Sequence, residues 1–577
     1  MRTSFTLLLL GFFSLSIAQS NRIFLDEAYE DWNNITELVS DPIGDQGSSN
    51  VDFGKLWMSN DDEFLFFRIE VGPEINLQDG NEVKLYIDTD NNSNTGLSSG
   101  GIGADLVYHF GGRNGDFFIN GNAVNIGHAD IFLVTSPTVT SSQFEIAIAR
   151  NKQIQGQNLF SGNEIKVLFK NNILGADQIP DASGGLSYTF SSENPDPLPA
   201  YSIDKMDPAH LRILSYNVLR DDLFAQDKQV YYSRILQAIE PDLIGFQEIY
   251  QNGSSQTASK VASFLSNSPS QWYHAKVDPD VIALSRYPII SSYSIAPGGN
   301  GAFLIDMDPF ELLLIVAHPP CCGNDNGRQA EIDGIMAFIR DAKNGTGPIS
   351  LANNSPIIIA GDMNLVGLNE QLETLLTGDI SNQAVYGNDF DPDWDNSPLE
   401  DAKPPITDLP LSMTWYNEGS SFSPGRLDYI VYSGSVINLE NSYTLFTPAL
   451  SQADLNTYNL QADDVVRASD HLPLVADFQL GNSTSIDPSS GNSFKLKITP
   501  NPVKGTARIT YSLPQSSRVQ LKIFNSIGQE IMILEDRALG IGEYSTKLRK
   551  GRLPAGSYYC QLITDYGVAV EKLVVPE

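Results

Sequence analysis

The chain has 577 residues, enough for three or four domains, and its hydrophobic content of 41% is enough to bury several cores. Its formal net charge is −34 at pH 7. Proteins that hold nucleic acid tightly and nonspecifically do so through Lys and Arg, so an acidic body argues against binding of that kind. The charge does not exclude an enzyme that acts on nucleic acid through bound cations.

Residues 1–18 are typical of a secretory signal peptide. Arg2 precedes an apolar core at 7–13, and small side chains before Gln19 provide a cleavage site. The apolar stretch is short for a membrane span, so we expect cleavage rather than anchoring. No other stretch is long enough to cross a bilayer, and no transmembrane span is expected.

Residues 22–195 are predicted to form an all-β sandwich, because short apolar runs alternate with turns rich in Gly, Asn, Asp and Ser. The turn at 88–96 places oxygen-bearing side chains at every second position and ends in Gly, a pattern that can wrap a Ca²⁺ ion. Its candidate ligands are Asp88, Asp90, Asn92 and Asn94. A polar hairpin loop without metal explains the same residues equally well.

This region resembles the family-9-like carbohydrate-binding modules in the segments KLWMSNDDEFLFFRIEV, VKLYIDTDNNSNTG and GIGADLVYHF. The resemblance implies a β-sandwich that often carries calcium and binds sugar through aromatic side chains. A glycan is therefore a candidate partner, with Trp57 as the candidate aromatic. A tryptophan in such a strand is more often a core residue.

The composition of 196–208 indicates a linker, and residues 209–480 then alternate predicted strands and helices, as in a layered α/β domain. Polar side chains stand directly beside its buried strands, where open α/β folds build their sites. These side chains are Asn217, Glu248, His318, Asp362, Asn364, Asp428, Asp470 and His471.

One Asp or His after a strand is usually a cap or turn residue, but capping does not explain a set of this size. Three carboxylates, Glu248, Asp362 and Asp470, together with Asn217 offer the oxygen ligands that Mg²⁺ or Ca²⁺ prefers. Zinc is disfavoured, because cysteine ligands are lacking. A histidine among carboxylates supplies an acid or base near neutral pH.

Residues 210–479 resemble the endonuclease/exonuclease/phosphatase superfamily, with LRILSYN, PDLIGFQE, LLLIVAH, GDMN, DYIVY and SDH in the family's order. That superfamily includes deoxyribonucleases, repair nucleases, sphingomyelinases and inositol-phosphate phosphatases. The resemblance implies a four-layer α/β sandwich, in which two facing mixed sheets are flanked by helices.

The resemblance also implies metal-dependent attack of water on phosphorus, with Mg²⁺, Mn²⁺ or Ca²⁺ as the cofactor. Glu248 would be the main metal ligand, and Asn217 and Asp470 would complete or border the site. Asp362 would orient or deprotonate the attacking water. Asn364 would help to place that water and the phosphate.

Two histidines complete the implied machinery. His471 would act as an acid/base or stabilise the transition state, with Asp428 fixing its tautomer. His318 would contact the phosphate or assist the leaving group. The carboxylate expected behind His318 has no clear match, and Asp278 and Asp280 are only nearby candidates. Candidate phosphate-binding residues from the segment CCGNDNGRQ are Asn324, Asn326 and Arg328.

Residues 481–493 form a linker by composition, and residues 494–577 are predicted to form a small β-sandwich. The segment resembles the C-terminal sorting domain of type IX secreted proteins of Bacteroidetes in ITPNPVKG, VQLKIFNSIGQEI, GEYSTKL, LPAGSYYCQL and KLVV. The resemblance implies export by the type IX secretion machinery, removal of the segment, and a secreted or surface-attached protein.

We expect a secreted, divalent-metal-dependent phosphoester hydrolase, and foremost an extracellular nuclease or phosphodiesterase. A phosphatase or a sphingomyelinase-like phospholipase stays open, because the fold does not settle the substrate. The acidic run at 389–401 disfavours a dedicated duplex nuclease. A non-catalytic surface protein that binds glycan is an alternative of another class, and the filled catalytic positions speak against it.

Overall fold

The computed structural model describes residues 22–45, 47, 51–192, 195–265, 271–480, 496–499, 501, 503–513, 516–525, 530–564 and 567–576. The expected signal peptide at 1–18 and linker at 481–493 lie outside these residues. The chain divides into two compact units, Met1–Asn482 and Ser483–Glu577. Within the described residues, no helix is long and apolar enough to span a membrane.

The first part of the larger unit is a β-sandwich. One sheet has the order β1-β2-β3-β11-β10, and the other has the order β15-β14-β4-β7-β8-β9 with β16 beside β14. The elements are η1 (Asp31–Asn34), β1 (Val39–Ser40), β2 (Asp52–Asn60), β3 (Phe64–Ile75), β4 (Val83–Asp88), β5 (Leu97–Ser99), β6 (Ile102–Ala104), β7 (Leu106–His109), β8 (Asn114–Ile119), β9 (Asn122–Ile126), α1 (His128–Ile131), β10 (Leu133–Ser136), β11 (Ser141–Ala149), β12 (Gln153–Ile154), β13 (Gln157–Asn158), β14 (Glu164–Asn171), β15 (Gln178–Ile179) and β16 (Leu186–Thr189).

Strand β3 is apolar on both faces. Because side chains alternate along a strand, its two faces pack into two different cores. Leu65 and Phe67 point into the core between the two sheets, where Phe67 packs edge-on against Phe169 with ring centroids 5.6 Å apart. Phe64 and Phe66 point the other way and join a core cluster that contains Leu214 and other residues of the α/β region. The sandwich therefore shares a hydrophobic core with the α/β region that follows it.

The α/β region contains two sheets, ordered β19-β20-β18-β17-β28-β27 and β21-β22-β23-β24-β26-β25. Its elements are β17 (Leu211–Asn217), η2 (Asp222–Phe224), α2 (Gln229–Ile239), β18 (Leu243–Gln247), α3 (Ser254–Phe264), β19 (Tyr273–Val277), β20 (Val281–Ser285), β21 (Ile289–Ile295), β22 (Asn300–Asp306), β23 (Glu311–Ala317), α4 (Asp325–Asn344), β24 (Ile357–Asp362), α5 (Asn369–Thr377), α6 (Gln383–Tyr386), β25 (Glu400–Asp401), β26 (Asp428–Tyr432), β27 (Ile437–Thr444), η3 (Thr447–Ala449), α7 (Gln452–Thr457), α8 (Asp464–Ala468) and β28 (Leu474–Leu480).

The two sheets face each other and are covered by helices on their outer sides. Ile213 of the first sheet and Leu314 of the second lie in one cluster between them. Helix α4 packs Ile332, Ile335 and other side chains on the outside of the second sheet, and α2 and α3 cover the first. This arrangement confirms the predicted four-layer α/β sandwich. Residues 196–208, the predicted linker, have no regular structure, but Ile203 is buried in the shared core.

The smaller unit is a β-structure with its own core. Its sheets have the orders β29-β30-β33 and β32-β31-β34-β35, and alternating residues such as Ile509, Leu521 and Leu562 form the core. The elements are β29 (Lys497–Thr499), β30 (Thr506–Leu513), β31 (Ser517–Asn525), β32 (Glu530–Leu539), β33 (Gly542–Arg549), η4 (Lys550–Arg552), β34 (Gly556–Thr564) and β35 (Gly567–Val575). The β-rich C-terminal domain predicted from the sequence is confirmed.

Candidate active site

The candidate site lies where strands of the two facing sheets end side by side. β17 is parallel to β18, and β23 is parallel to β24, so the polar residues that end or follow these strands meet at one edge. Gly361 precedes Asp362 in β24, and a Cβ at this position would lie 2.0 Å from the carbonyl oxygen of Ala317. Glycine therefore allows the close strand contact that places Asp362.

The carboxylate of Asp362 is at the centre of the site. Its Oδ2 accepts a hydrogen bond from Nδ2 of Asn217 at 3.0 Å. The same oxygen lies 3.5 Å from Nε2 of His471 and 3.6 Å from Nε2 of His318. Its Oδ1 accepts the backbone N–H of Asn364 at 3.0 Å. Two imidazoles thus face one carboxylate, which is itself held by two amide donors.

His471 is supported from behind by Asp428. Its Nδ1 donates to Oδ2 of Asp428 at 2.9 Å, and Thr414 donates its hydroxyl to the same oxygen at 2.8 Å. Burial lowers the pKa of His471, but the charges of Asp428 and Asp362 outweigh that effect and raise it to about 10. The ring is therefore held in its charged form at neutral pH.

The contact between Asp428 and His471 joins the two facing sheets. Asp428 begins β26 in one sheet, and His471 precedes β28 in the other, so their strands face each other rather than pair. Trp415 bridges the gap, because it forms isolated β-bridges with both Gly425 and His471. The loop between β25 and β26 thus sets the distance between the two side chains.

His318 has an equivalent carboxylate, and the structure assigns it to Asp280. Nδ1 of His318 lies 2.5 Å from Oδ2 of Asp280, whereas Asp278 accepts the hydroxyl of Ser294. Burial lowers the pKa of His318, but the hydrogen bond to Asp280 and the charge of Asp362 raise it to about 9. The sequence left Asp278 and Asp280 as the two nearby candidates, and these contacts distinguish them.

Glu248 and Asn217 lie together beside Asp362. Glu248 follows β18 with φ of +64°, a left-handed conformation that turns its side chain back toward the strand ends. Its Oε1 accepts from Nδ2 of Asn217 at 3.2 Å, and its Oε2 accepts from the backbone N–H of Arg220 at 3.0 Å. The amide oxygen of Asn217 accepts from the N–H of Leu219 at 3.0 Å.

Asp470 lies next to this group, since the hydroxyl of the preceding Ser469 donates to the carbonyl of Asn217 at 2.8 Å. Oδ2 of Asp470 accepts from Nε1 of Trp415 at 3.3 Å and from Nδ2 of Asn417 at 3.4 Å. Its Oδ1 is buried and has no hydrogen-bond partner among the described residues. A buried carboxylate oxygen without a donor is a ready cation ligand.

The donor set fits a hard divalent cation. Glu248 and Asp470 offer carboxylate oxygens and Asn217 offers an amide oxygen, and Asn217 contacts Glu248 through its side chain and Ser469, next to Asp470, through its carbonyl. Mg²⁺, Mn²⁺ and Ca²⁺ are all compatible with such a set. Asn217, Glu248 and Asp470 are the candidate residues to hold the ion.

Two of the three candidate phosphate-binding residues have other duties, which corrects the sequence interpretation. Arg328 is fully buried, and its guanidinium bonds to Gln371, the carbonyls of Pro320 and Cys322, and Asp325, so it anchors the loop before α4. Asn324 caps α4 by accepting the N–H of Gly327. Asn326 is exposed in the first turn of α4. Near these residues, Asn364 donates its Nδ2 to the carbonyl of Pro319 at 3.0 Å.

The sandwich holds the loop between β25 and β26, which contains Trp415. Nε2 of His128 lies 3.0 Å from the carbonyl of Ser420, and the Thr135 hydroxyl lies 3.1 Å from that of Ser423. Phe132 packs edge-on against Tyr416 with centroids 6.0 Å apart. The N–H of Tyr416 in turn donates to the carbonyl of Asp470 at 2.8 Å. Sandwich side chains thus contact the loop that supports His471.

Arg426 fixes the far end of the same loop. It is 2% exposed, and it pairs with Glu27 of the N-terminal segment and with Asp401 of β25, each at 2.7 Å. The hydroxyl of Thr138 donates to the carbonyl of Leu365 at 2.6 Å, which attaches the sandwich to the loop after Asp362 as well. A buried arginine between two carboxylates is costly to disrupt, since either partner left alone would be an unpaired charge.

In the DTDNNSNTG turn, Asp105 joins two of the four candidate calcium ligands. Ligand atoms of Asp88, Asp90 and Asp105 lie within 4.8 Å of one another. Asn92 and Asn94 are used within the turn, since Oδ1 of Asn92 accepts from the N–H of Asn94 at 3.2 Å.

Two other residues noted in the sequence have clear positions. Trp57 is 7% exposed, with the guanidinium of Arg68 4.3 Å from its ring centre, so it is not an open sugar-binding surface. Cys321 and Cys322 are joined in a vicinal disulfide three residues beyond His318.

Comparison with known proteins identifies two regions of the chain. The Endonuclease/Exonuclease/phosphatase family matches residues 214–471, and the Secretion system C-terminal sorting domain matches residues 497–576. The central region is therefore a domain of the endonuclease/exonuclease/phosphatase class. The C-terminal region is a type IX secretion sorting domain, which implies a secreted or surface-exposed protein. No curated protein matches the chain.

Solved structures with similarity include the human Nocturnin catalytic domain with bound sulfate, at 16% identity over 47% of this chain and 95% of that chain, with a TM-score of 0.31. The D. rerio TDP2 complex with single-stranded DNA product has 15% identity over 47% and 99%, with a TM-score of 0.31. Sphingomyelinase C from Streptomyces griseocarneus has 14% identity over 46% and 99%, with a TM-score of 0.29.

Proposed function

We propose that the protein is an exported, divalent-metal-dependent phosphodiesterase, with nucleic acid as the foremost substrate class. The observation that carries the proposal is the pair of carboxylate-backed imidazoles, His318 with Asp280 and His471 with Asp428, that face the carboxylate of Asp362. The match of residues 214–471 to a family of nucleases and phosphatases supports the same class of reaction.

Each side chain has a role that its contacts suit. Asp362 is the acceptor for a proton of the attacking water, and Asn364 helps to place that water. The two imidazoles, with pKa values raised to about 9 and about 10, are charged at neutral pH and can donate from Nε2. One donates to the oxygens of the phosphoryl group as charge develops, and the other protonates the leaving oxygen.

A divalent cation held by Glu248 with Asn217 and Asp470 would supply charge stabilisation at the phosphoryl oxygens. The orphaned Oδ1 of Asp470 supports this placement. Tyr416 and Trp415 limit how far Asp470 can move, because both bind it through hydrogen bonds. The residues that would hold the cation are thus different from those that would transfer protons.

A cavity of about 610 Å³ beside Asp470 favours a diester over a monoester. Leu219, Tyr416, Pro448 and Val466 give it apolar walls, and its charged lining is Lys228, which is paired with Asp222, together with Glu418, Asp463 and Asp470. A diester keeps a substituent on phosphorus besides the leaving group, and that substituent needs room next to the site. A monoester carries no such group, so it would use the cavity only for its leaving group.

A substrate panel with Mg²⁺, Mn²⁺ and Ca²⁺ tests the proposal. It compares plasmid DNA, single-stranded DNA, RNA and bis-p-nitrophenyl phosphate with p-nitrophenyl phosphate and sphingomyelin. We expect the nucleic acids and the bis-ester to be cleaved faster than the monoester, and chelator to abolish cleavage. Preferred cleavage of p-nitrophenyl phosphate would indicate a phosphatase instead, and preferred cleavage of sphingomyelin a phospholipase. Absence of all six activities would reject the enzyme assignment.

A further inference from the structure

Five carboxylates of the sandwich converge at a place far along the chain from the catalytic residues. Three come from the β1–β2 region, and two flank β15. Ligand atoms of Asp41, Asp177 and Asp181 lie within 4.8 Å of one another, and so do those of Asp45, Asp52 and Asp177. Asp177 belongs to both groups, so the two groups adjoin each other at its carboxylate.

Three of these carboxylates are withdrawn from solvent. Asp41 is 7% exposed, Asp52 is 5% exposed and Asp177 is 6% exposed. Backbone donors satisfy part of the group: Asp177 accepts the N–H of Phe53 at 2.6 Å, and Asp52 accepts the N–H of Gly44 at 2.9 Å. These bonds orient the carboxylates but leave most of their lone pairs unused.

The side chain of Asp41 has an oxygen that no other group in the described residues binds. Its Oδ2 is buried without a hydrogen-bond partner among the described residues. Burial, and then the charges of Asp177, Asp181 and Asp45, raise its pKa to about 7. Among the described residues, the ion pairs of the sandwich use other acids, namely Asp61, Glu37, Glu82, Asp79 and Glu27. In the described part of the chain, no basic side chain therefore forms an ion pair with these five acids.

We propose that Asp41, Asp45, Asp52, Asp177 and Asp181 bind one Ca²⁺ ion. Ca²⁺ takes six to eight oxygen ligands at roughly 2.3–2.6 Å, so ligands on opposite sides of it lie roughly 4.6–5.2 Å apart. The ligand atoms within each group lie no more than 4.8 Å apart, which is compatible with coordination of one ion. Mg²⁺ demands a tighter octahedron of roughly 2.0–2.1 Å bonds and keeps several waters, which suits five protein carboxylates less well.

The ion would join two segments that are distant in the sequence. Asp41 and Asp45 lie in the loop between β1 and β2, and Asp52 begins β2, whereas Asp177 and Asp181 lie on either side of β15. The site is separate from the Asp88 turn, whose third acid is Asp105. Its function is structural, since it ties the edge of one sheet to the edge of the other. The inference does not depend on the proposed catalytic activity.

Calcium binding to the purified full-length protein tests the site. The parent for this test carries Glu248→Gln and Asp88→Asn, which weaken cation binding at the two other candidate places. Titration calorimetry and equilibrium dialysis with Ca²⁺ then measure stoichiometry and affinity. We expect one tight Ca²⁺ per chain in the parent and a higher melting temperature with Ca²⁺ than in chelator.

Two variants and a control decide the outcome. Asp177→Asn should remove the tight site, and the exposed Asp181→Asn should weaken its affinity by roughly 10-fold, because ligand charge sets calcium affinity. Asp62→Asn, at an exposed acid of the same sandwich, should bind as the parent does. If Asp177→Asn does not fold, Asp181→Asn alone decides. A parent without tight Ca²⁺, or an Asp181→Asn variant with the parent's affinity, overturns the proposal.

Discussion

Asp280 accepts a hydrogen bond from Nδ1 of His318 across 2.5 Å, while Nε2 of the same ring points at Asp362. The imidazole therefore lies between two carboxylates, one that holds it and one that it faces. His471 repeats this arrangement with Asp428 behind it. Each imidazole should consequently depend on its own supporting acid, His318 on Asp280 and His471 on Asp428.

Replacing Asp280 with Asn should lower the pKa of His318, because the amide keeps the shape but loses the charge. In metal-free wild-type protein the folded pKa, about 9, lies above the unfolded value of about 6.5. The stabilising contribution is therefore complete below pH 6.5 and is lost as pH rises through 9, with a slope of at most about 1.4 kcal/mol per pH unit. Asp280→Asn should flatten that slope.

Histidine NMR and denaturant unfolding in chelator, from pH 6 to 10, check this prediction, and the chain has only six histidines to assign. Activity should fall by roughly 10- to 100-fold, as for other residues that orient a functional imidazole. Asp278→Asn is the matched control, because Asp278 bonds to Ser294 instead. Equal losses in the two variants would show that Asp280 has no special role.

His471 and Asp428 should behave as one unit. His471→Ala should reduce kcat/KM by roughly 10² or more, and Asp428→Asn should reduce it less. The double variant should be no worse than His471→Ala alone, since the carboxylate acts through the ring. Steady-state kinetics on a bis-ester check this, with the exposed His274→Ala as control. Additive losses would mean that the two residues act separately.

Glu248→Gln should weaken the activating cation. The amide preserves the acceptor for Arg220 but removes the charge that attracts the metal. We expect the metal concentration for half-maximal activity to rise by roughly 10-fold or more. A titration of activity with Mg²⁺ measures the shift, and Glu240→Gln, at the exposed C-cap of α2, should titrate as the wild type does. An unchanged titration for Glu248→Gln would remove it from the metal site.

Phe132 of the sandwich should influence catalysis through its contact with Tyr416 of the loop between β25 and β26. Phe132→Ala removes the ring that supports the loop bound to Asp470, so kcat should fall by roughly 10-fold. Phe118→Ala, a partly buried ring in a separate sandwich cluster, should lose similar thermal stability but keep kcat. Equal kcat values in both variants, at matched stability, would show that the sandwich does not position the loop.

The C-terminal sorting domain should be dispensable for catalysis and required for export. It is a separate compact unit with its own core, and it matches a secretion sorting domain. Truncation after Gly481 should leave kcat/KM unchanged and retain the protein in the periplasm of a type IX host. An inactive truncated protein, or normal export without the segment, would contradict this prediction.

The sequence predicted the layers and most of the site, because those signals are local. Asn217, Glu248, His318 and Asp362 each end or directly follow an apolar run, and parallel strands bring such ends to one edge. Motif order then identified the family.

Pairings between residues far apart in the chain produce no local pattern in the sequence. Asp280 serves His318 from a turn 38 positions earlier, and Glu27 pairs with Arg426 across 399 positions. Arg328 was a candidate phosphate ligand because of the family resemblance of its segment, and only the packing around it shows that it is buried.

The pairing of Arg426 with Glu27 affects when the protein can become active during its synthesis and folding. Glu27 is among the first described residues, so it emerges from the ribosome long before Arg426. An unfinished chain without Arg426 would leave the carboxylates of Glu27 and Asp401 without their cation, and a fragment without Glu27 would leave Arg426, which anchors the His471 loop, with one of its two partners. We therefore expect translation intermediates and proteolytic fragments to be silent, so that hydrolysis begins only once the whole 22–480 body has closed.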